Sequence, residues 1–209
     1  MYNKAMNYPE IRIEYAWLLS DATSKHLNEF WGDGTPLLTE DEYKAIAKSY
    51  RNAWKMYEKR ISQALNDILG LRFRHNIIDV YIAPWMNAYS DPMVIGVMYK
   101  PSHFVEVLTH ELIHRYLDDN NIVSRDERLL EEWQSMFGSQ KFNVTVHIPV
   151  HAIMQKIFDD ILNEPDRTIH DKKECEQWPE YDAAWKYVDT VGYEKIIKQL
   201  KESYKRLGE

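Results

Sequence analysis

The sequence predicts an α+β fold, mostly helical, with a small β-sheet beside one central helix. Three observations predict it. Apolar residues recur at helical spacing through several long stretches, two short β-rich runs lie at residues 76–83 and 93–99, and the second run leads through Lys100-Pro101 into a helical segment at 101–120. With 209 residues and 44% hydrophobic content, the chain suits one domain, 1–209, with a well-buried core. Within it, residues 1–75 form an N-terminal helical part, 76–162 the sheet and a candidate metal site, and 163–209 closing helices.

Taken in order, Ile11, Ile13, Tyr15 and Trp17 alternate like a strand, while residues 15–19 equally suit a helix start. Residues 32–36, Gly-Asp-Gly-Thr-Pro, read as a loop. Thr39 with Glu42 forms a capping box, and Gly70 is a natural stop, so one long amphipathic helix is expected between them. The runs 76–83 and 93–99 read as neighbouring strands, the second an edge on which an extended peptide could pair. Ser102 is the expected N-cap of the next helix. A second capping box at 124–127 opens a helix that Gly138 closes. Val150, Ile153, Met154, Ile157, Phe158, Ile161 and Leu162 mark another helix, starting near Thr145 or Pro149. Residues 169–177 are polar and read as loop. Pro179–Val191 and Tyr193–Leu207 read as two closing helices hinged at Gly192.

The formal charge of −7 argues against nonspecific attachment to nucleic acid or an anionic membrane. The single cysteine, Cys175, has no internal disulfide partner and reads as an inert thiol suited to a reducing interior. With no leader-like segment and no apolar run of spanning length, a soluble cytoplasmic protein is expected. The sequence sets no oligomeric state.

Chemistry concentrates in His110-Glu111-Leu112-Ile113-His114. On a helix, residues four apart stand about 5–6 Å apart, so both imidazoles can reach one ion at about 2.0–2.1 Å. Glu111, one step round, overhangs the open coordination position and can take a proton from water that the metal activates. The pattern arises by accident in roughly one of 40 chains of this composition, so its context matters. Stepping 100° per residue puts Phe104, Val105, Leu108, Leu112 and Tyr116 on one side for a core. His103, Glu106, Val107, His110 and His114 gather on the other.

Catalytic zinc takes three protein ligands and a water. The third is expected from His147 or His151, with His147 favoured and the other orienting the site or touching substrate. On a helix starting near Thr145, His147 falls within about 35° of the apolar centre and His151 within about 75°. Glu132 is the fallback, since Glu131 points away from the apolar face of its helix. Donors for a developing oxyanion would be the spare histidine, His103 or a tyrosine of the closing helices.

His110-Glu111-Leu112-Ile113-His114, after a strand and within a helix, resembles the zincin metallopeptidases over about residues 76–162. The resemblance implies a zincin-like domain and zinc-dependent hydrolysis of peptide bonds in a peptide or protein substrate, with His110 and His114 as ligands and Glu111 as general base. Leu117 and Asn120 stand where the metzincin branch has glycine and histidine, so the pattern is more similar to a small three-histidine or gluzincin-like branch. The alternative is a zinc-bound regulatory or protein-interaction domain with little turnover, which would have no need of Glu111.

Overall fold

The computed structural model describes residues 8–19, 22, 38–84, 86–120 and 128–207. The loop expected at 32–36 and the capping box expected at 124–127 lie outside the described residues. Packing divides the chain into two units, one made of residues up to 59 together with 75–112, the other of 60–74 together with 113 onward.

The first unit holds a four-stranded sheet of β1 (Glu10–Tyr15), β2 (Ile77–Ala83), β3 (Tyr89–Ser90) and β4 (Met93–Gly96), in the order β1-β2-β4-β3. β1 and β4 both run parallel to β2, and β3 is antiparallel to β4. In β1, Ile11 and Ile13 point inward while Glu10, Arg12 and Glu14 face water, the alternation of a half-buried strand. Residues 17–19 are helical, so the two readings of this stretch apply one after the other. The two β-rich runs are neighbours, as expected, but β4 is an interior strand. β2 takes one of its sides, β3 pairs with Met93 and Val94 on the other, and the Met86 backbone closes over Gly96.

Helix α1 (Glu40–Lys55) begins with the expected capping box. The Glu42 amide donates to the Thr39 hydroxyl at 3.3 Å, and the Thr39 amide donates back to the Glu42 carboxylate at 2.7 Å. Its Tyr43, Ala47, Tyr50 and Trp54 form the stripe buried against β1 and β2. Tyr50 stacks on Phe104 with ring centroids 4.0 Å apart and donates to the Tyr99 carbonyl at 2.7 Å. The single long helix expected up to Gly70 is instead two. At Met56 and Tyr57 the amides bond back only three residues, and α2 (Glu58–Leu69) follows as a separate helix. No glycine or proline marks this tightened turn, which is why the periodicity runs through it. Gly70, at φ +74°, ends α2 as expected.

Helix α3 (Pro101–Asp119) is continuous, its residues 101–112 counting with the first unit and the rest with the second.

The second unit is helical: α4 (Arg128–Phe137), α5 (Phe142–Gln155), a π-helical segment (Lys156–Leu162) continuing it, α6 (Pro165–Cys175), α7 (Pro179–Val191) and α8 (Tyr193–Leu207). α5 packs against α4, α6, α7 and α8 and is buried almost all round, as its apolar composition requires. It begins at Phe142, earlier than expected, and carries Pro149 in its interior. Asn163 stops the π segment in the left-handed conformation, and its amide bonds to the Phe158 carbonyl. The stretch 169–177, expected as loop, is mostly α6. Pro165 opens this helix, and polar composition hid it because only Thr168 and Cys175 are buried. α7 and α8 meet at Gly192, φ +89°, as expected. Among the described residues no helix is long and apolar enough to cross a membrane.

Candidate metal centre

Helix α3 starts at Pro101, whose missing N–H and fixed φ suit a first helical position. The Lys100 carbonyl accepts the first bond, from Phe104 at 2.8 Å, so Ser102 lies inside the helix instead of capping it. Phe104, Val105, Leu108, Leu112 and Tyr116 are buried as the helical wheel requires. The opposite side is buried too: Glu106 is 5% exposed, Glu111 8% and His110 9%. Polar groups placed there need partners.

In the second unit the partner comes from α5. His114 Nε2 lies 3.3 Å from His147 Nε2, the rings meeting nearly edge-on. On its far side His147 Nδ1–H donates to the backbone carbonyl of Asn143 at 2.6 Å. A carbonyl can only accept, so Nδ1 carries the His147 proton and Nε2 presents a bare lone pair. His114 then donates its own Nε2–H across the 3.3 Å gap, where a cation could replace the shared proton.

The spacing suits such an exchange. A tetrahedral ion with nitrogens at about 2.0–2.1 Å sets neighbouring ligand atoms about 3.3–3.4 Å apart. His110, one turn before His114 on the same unbroken helix, completes a group whose three ligand nitrogens lie within 4.8 Å of one another. Burial holds the His114 imidazole down to about 3, with His147 adding to the effect, and burial likewise lowers His147. Neutral rings are the form that binds metal.

Glu111 stands between the two α3 histidines in sequence. Burial alone pushes its carboxyl up to about 8, and among the described residues no hydrogen bond or ion pair reaches it. A desolvated carboxyl without a partner is costly when ionised, and a cation close by would remove that cost.

The structure places the other candidates elsewhere. His151 is fully buried one turn beyond His147, its ring flat on Trp185 at 4.3 Å and 7°. Glu132 pairs with Arg206 of α8, and Glu131 is exposed. His103 sits edge-on to the Tyr99 ring, with Nε2 4.0 Å from Glu106. Two contacts went unmarked in the sequence. The Asn143 carbonyl is legible only once α5 is known to start at Phe142. Tyr181 of α7, whose ring lies 4.0 Å from that of His147, comes from a helix recognised without a register toward the site. The arrangement can hold a divalent cation on three imidazoles, with the buried Glu111 next to His110 in the sequence.

Comparison with protein-family models, curated proteins and solved structures finds no match to this chain.

Proposed function

We propose that the chain is a zinc-dependent hydrolase of peptide bonds, similar in its site to the zincin metallopeptidases. The observation that supports this reading is the cluster of three close imidazoles, with the buried carboxyl of Glu111 next to His110 in the sequence. His110, His114 and His147 hold the ion, and the Asn143 carbonyl fixes the tautomer and tilt of His147. An all-nitrogen set of this size fits zinc and is poor for magnesium or calcium, which prefer oxygen. When bound, zinc supplies a polarised water and a positive centre for a substrate carbonyl.

The remaining chemistry belongs to Glu111. Beside a cation its carboxyl ionises, and one oxygen takes a proton from the attacking water as the carbon–oxygen bond forms. The same oxygen then hands that proton to the leaving amine nitrogen as the carbon–nitrogen bond breaks. The buried surroundings keep bulk water from competing for the proton. A net charge of −7 and the single, buried thiol support a peptide or protein substrate in a reducing cytoplasm over a nucleic acid or membrane partner.

The test is Glu111→Gln, which keeps the shape and removes the base. Peptide hydrolysis by the zinc-loaded protein should fall about 10²–10⁴-fold while zinc content stays at the wild-type level. Undiminished hydrolysis in that variant would remove Glu111 as base and with it this mechanism. The burial of Glu111 and His110 favours one second reading, a zinc-held interaction domain with little turnover. Zinc-loaded wild-type protein that leaves a broad peptide mixture uncut would decide for it.

A further inference from the structure

Beyond the group on α3, the second unit brings another set of metal-binding side chains together. Asp171 and Cys175 stand four apart on α6 and therefore share a face. His151 reaches them from α5. The ligand atoms of the three lie within 4.8 Å of one another, two of the residues buried and Asp171 half-buried. Trp185 of α7 organises the set from both sides. Its Nε1–H donates to Asp171 Oδ2 at 2.9 Å, and its ring lies flat against His151.

We propose that His151, Asp171 and Cys175 form a second cation site, of zinc type, separate from the one on His110, His114 and His147. Distance, charge and donor chemistry all fit such an ion. The first is distance. Cys175 Sγ lies 3.6 Å from Asp171 Oδ2, and a tetrahedral angle with arms of about 2.3 Å to sulfur and about 2.1 Å to oxygen spans about 3.6 Å. The second is charge. A thiolate and a carboxylate carry −2, which a divalent cation cancels, so the loaded site is neutral where burial would penalise any residue of charge. The third is donor chemistry, since one nitrogen, one oxygen and one sulfur together select a borderline ion such as zinc and disfavour magnesium or calcium.

Without the ion, the Cys175 S–H donates to Asp171, and burial with the neighbouring carboxylate holds that thiol well above its ordinary range. On binding, the sulfur–hydrogen bond is replaced by a sulfur–metal bond and one proton leaves to solvent for each ion taken up.

Because Cys175 is the only cysteine, its coordination has a private signature. Metal-stripped full-length protein titrated with cobalt(II) should bind two ions and develop the near-ultraviolet thiolate-to-cobalt charge-transfer absorption. A site made only of histidines cannot produce that band. It should persist in His114→Ala, disappear in Cys175→Ser with stoichiometry falling from two to one, and need about tenfold or more cobalt in Asp171→Asn. Wild-type protein that saturates with cobalt without the thiolate band overturns the proposal, and this outcome depends on no variant folding. The result is independent of hydrolysis. A band without peptidase activity leaves this site standing and the hydrolase reading fallen, and activity without a band does the reverse.

Discussion

The bond from His147 Nδ1 to the Asn143 carbonyl ties a ligand to the backbone and not to a side chain, and this sets a sharp expectation. Asn143→Ala should keep zinc affinity close to wild type, because among the described residues the side chain bonds outward, to Glu180 at 2.6 Å. His147→Ala removes a ligand and should weaken zinc by more than the roughly 10–100-fold typical of losing an orienting partner, as read by competition with a chelator. The pH dependence of the metal-free protein follows from the buried groups. His114, held down to about 3, and His147, held below 6.5, leave the unfolded chain binding protons under that pH that the folded one refuses, so stability falls as pH drops below about 6.5. His151 acts in the same direction. Glu111 is held above 4.5, so the folded chain keeps a proton that the unfolded one has released, and stability also falls as pH rises from about 4.5 to about 8. Where the windows overlap, three histidines outweigh one carboxyl. Thermal melts in chelator should therefore peak near pH 6.5 and decline on both sides, and a melt that keeps improving up to pH 8 would contradict the burial of Glu111. At this scale His110, Glu111 and His114 were legible because helix geometry alone relates them. Choosing between His147 and His151 depended on where α5 begins, which Pro149 obscured. Glu132 has no signature in the sequence of its ion pair, because Arg206 lies far along the chain on α8.

Secondary-structure elements were legible where local chemistry fixes them, as at the Thr39 capping box and the left-handed glycines 70 and 192. They were not legible where tertiary packing decides. The turn at Met56 has ordinary helical residues, and α6 is a helix held by Thr168, Cys175 and its neighbours despite a polar sequence. Two substitutions examine this scale. Thr39→Ala should cost about 1 kcal/mol in denaturant unfolding through loss of the cap. Gly96→Ala should cost more, about 1–3 kcal/mol, because a Cβ there would fall inside contact distance of the Met86 carbonyl oxygen and strand and loop would have to part. A neutral Gly96→Ala would show that the loop yields freely.

For the molecule as a whole, an ion that binds the folded chain and not the unfolded one adds stability by mass action. At a free zinc concentration of about 100 times Kd the gain is about 2.7 kcal/mol per site, or roughly 5–10 °C in Tm for a chain of this length. Scanning calorimetry with zinc and with chelator reads it directly. The fold class was legible from periodicity, since long amphipathic stretches and two β-rich runs leave little choice, whereas the division of packing into two units was not, because α3 carries one unbroken pattern through it. The interior position of β4 reaches furthest into any peptidase role. Paired with β2 on one side and, at Met93 and Val94, with β3 on the other, and with the Met86 backbone close over Gly96, it offers, among the described residues, no long open hem onto which a substrate could be stitched. Selectivity would then rest on what the substrate's side chains fit, so cleaved peptides bearing N-methyl groups away from the scissile bond should still be cut.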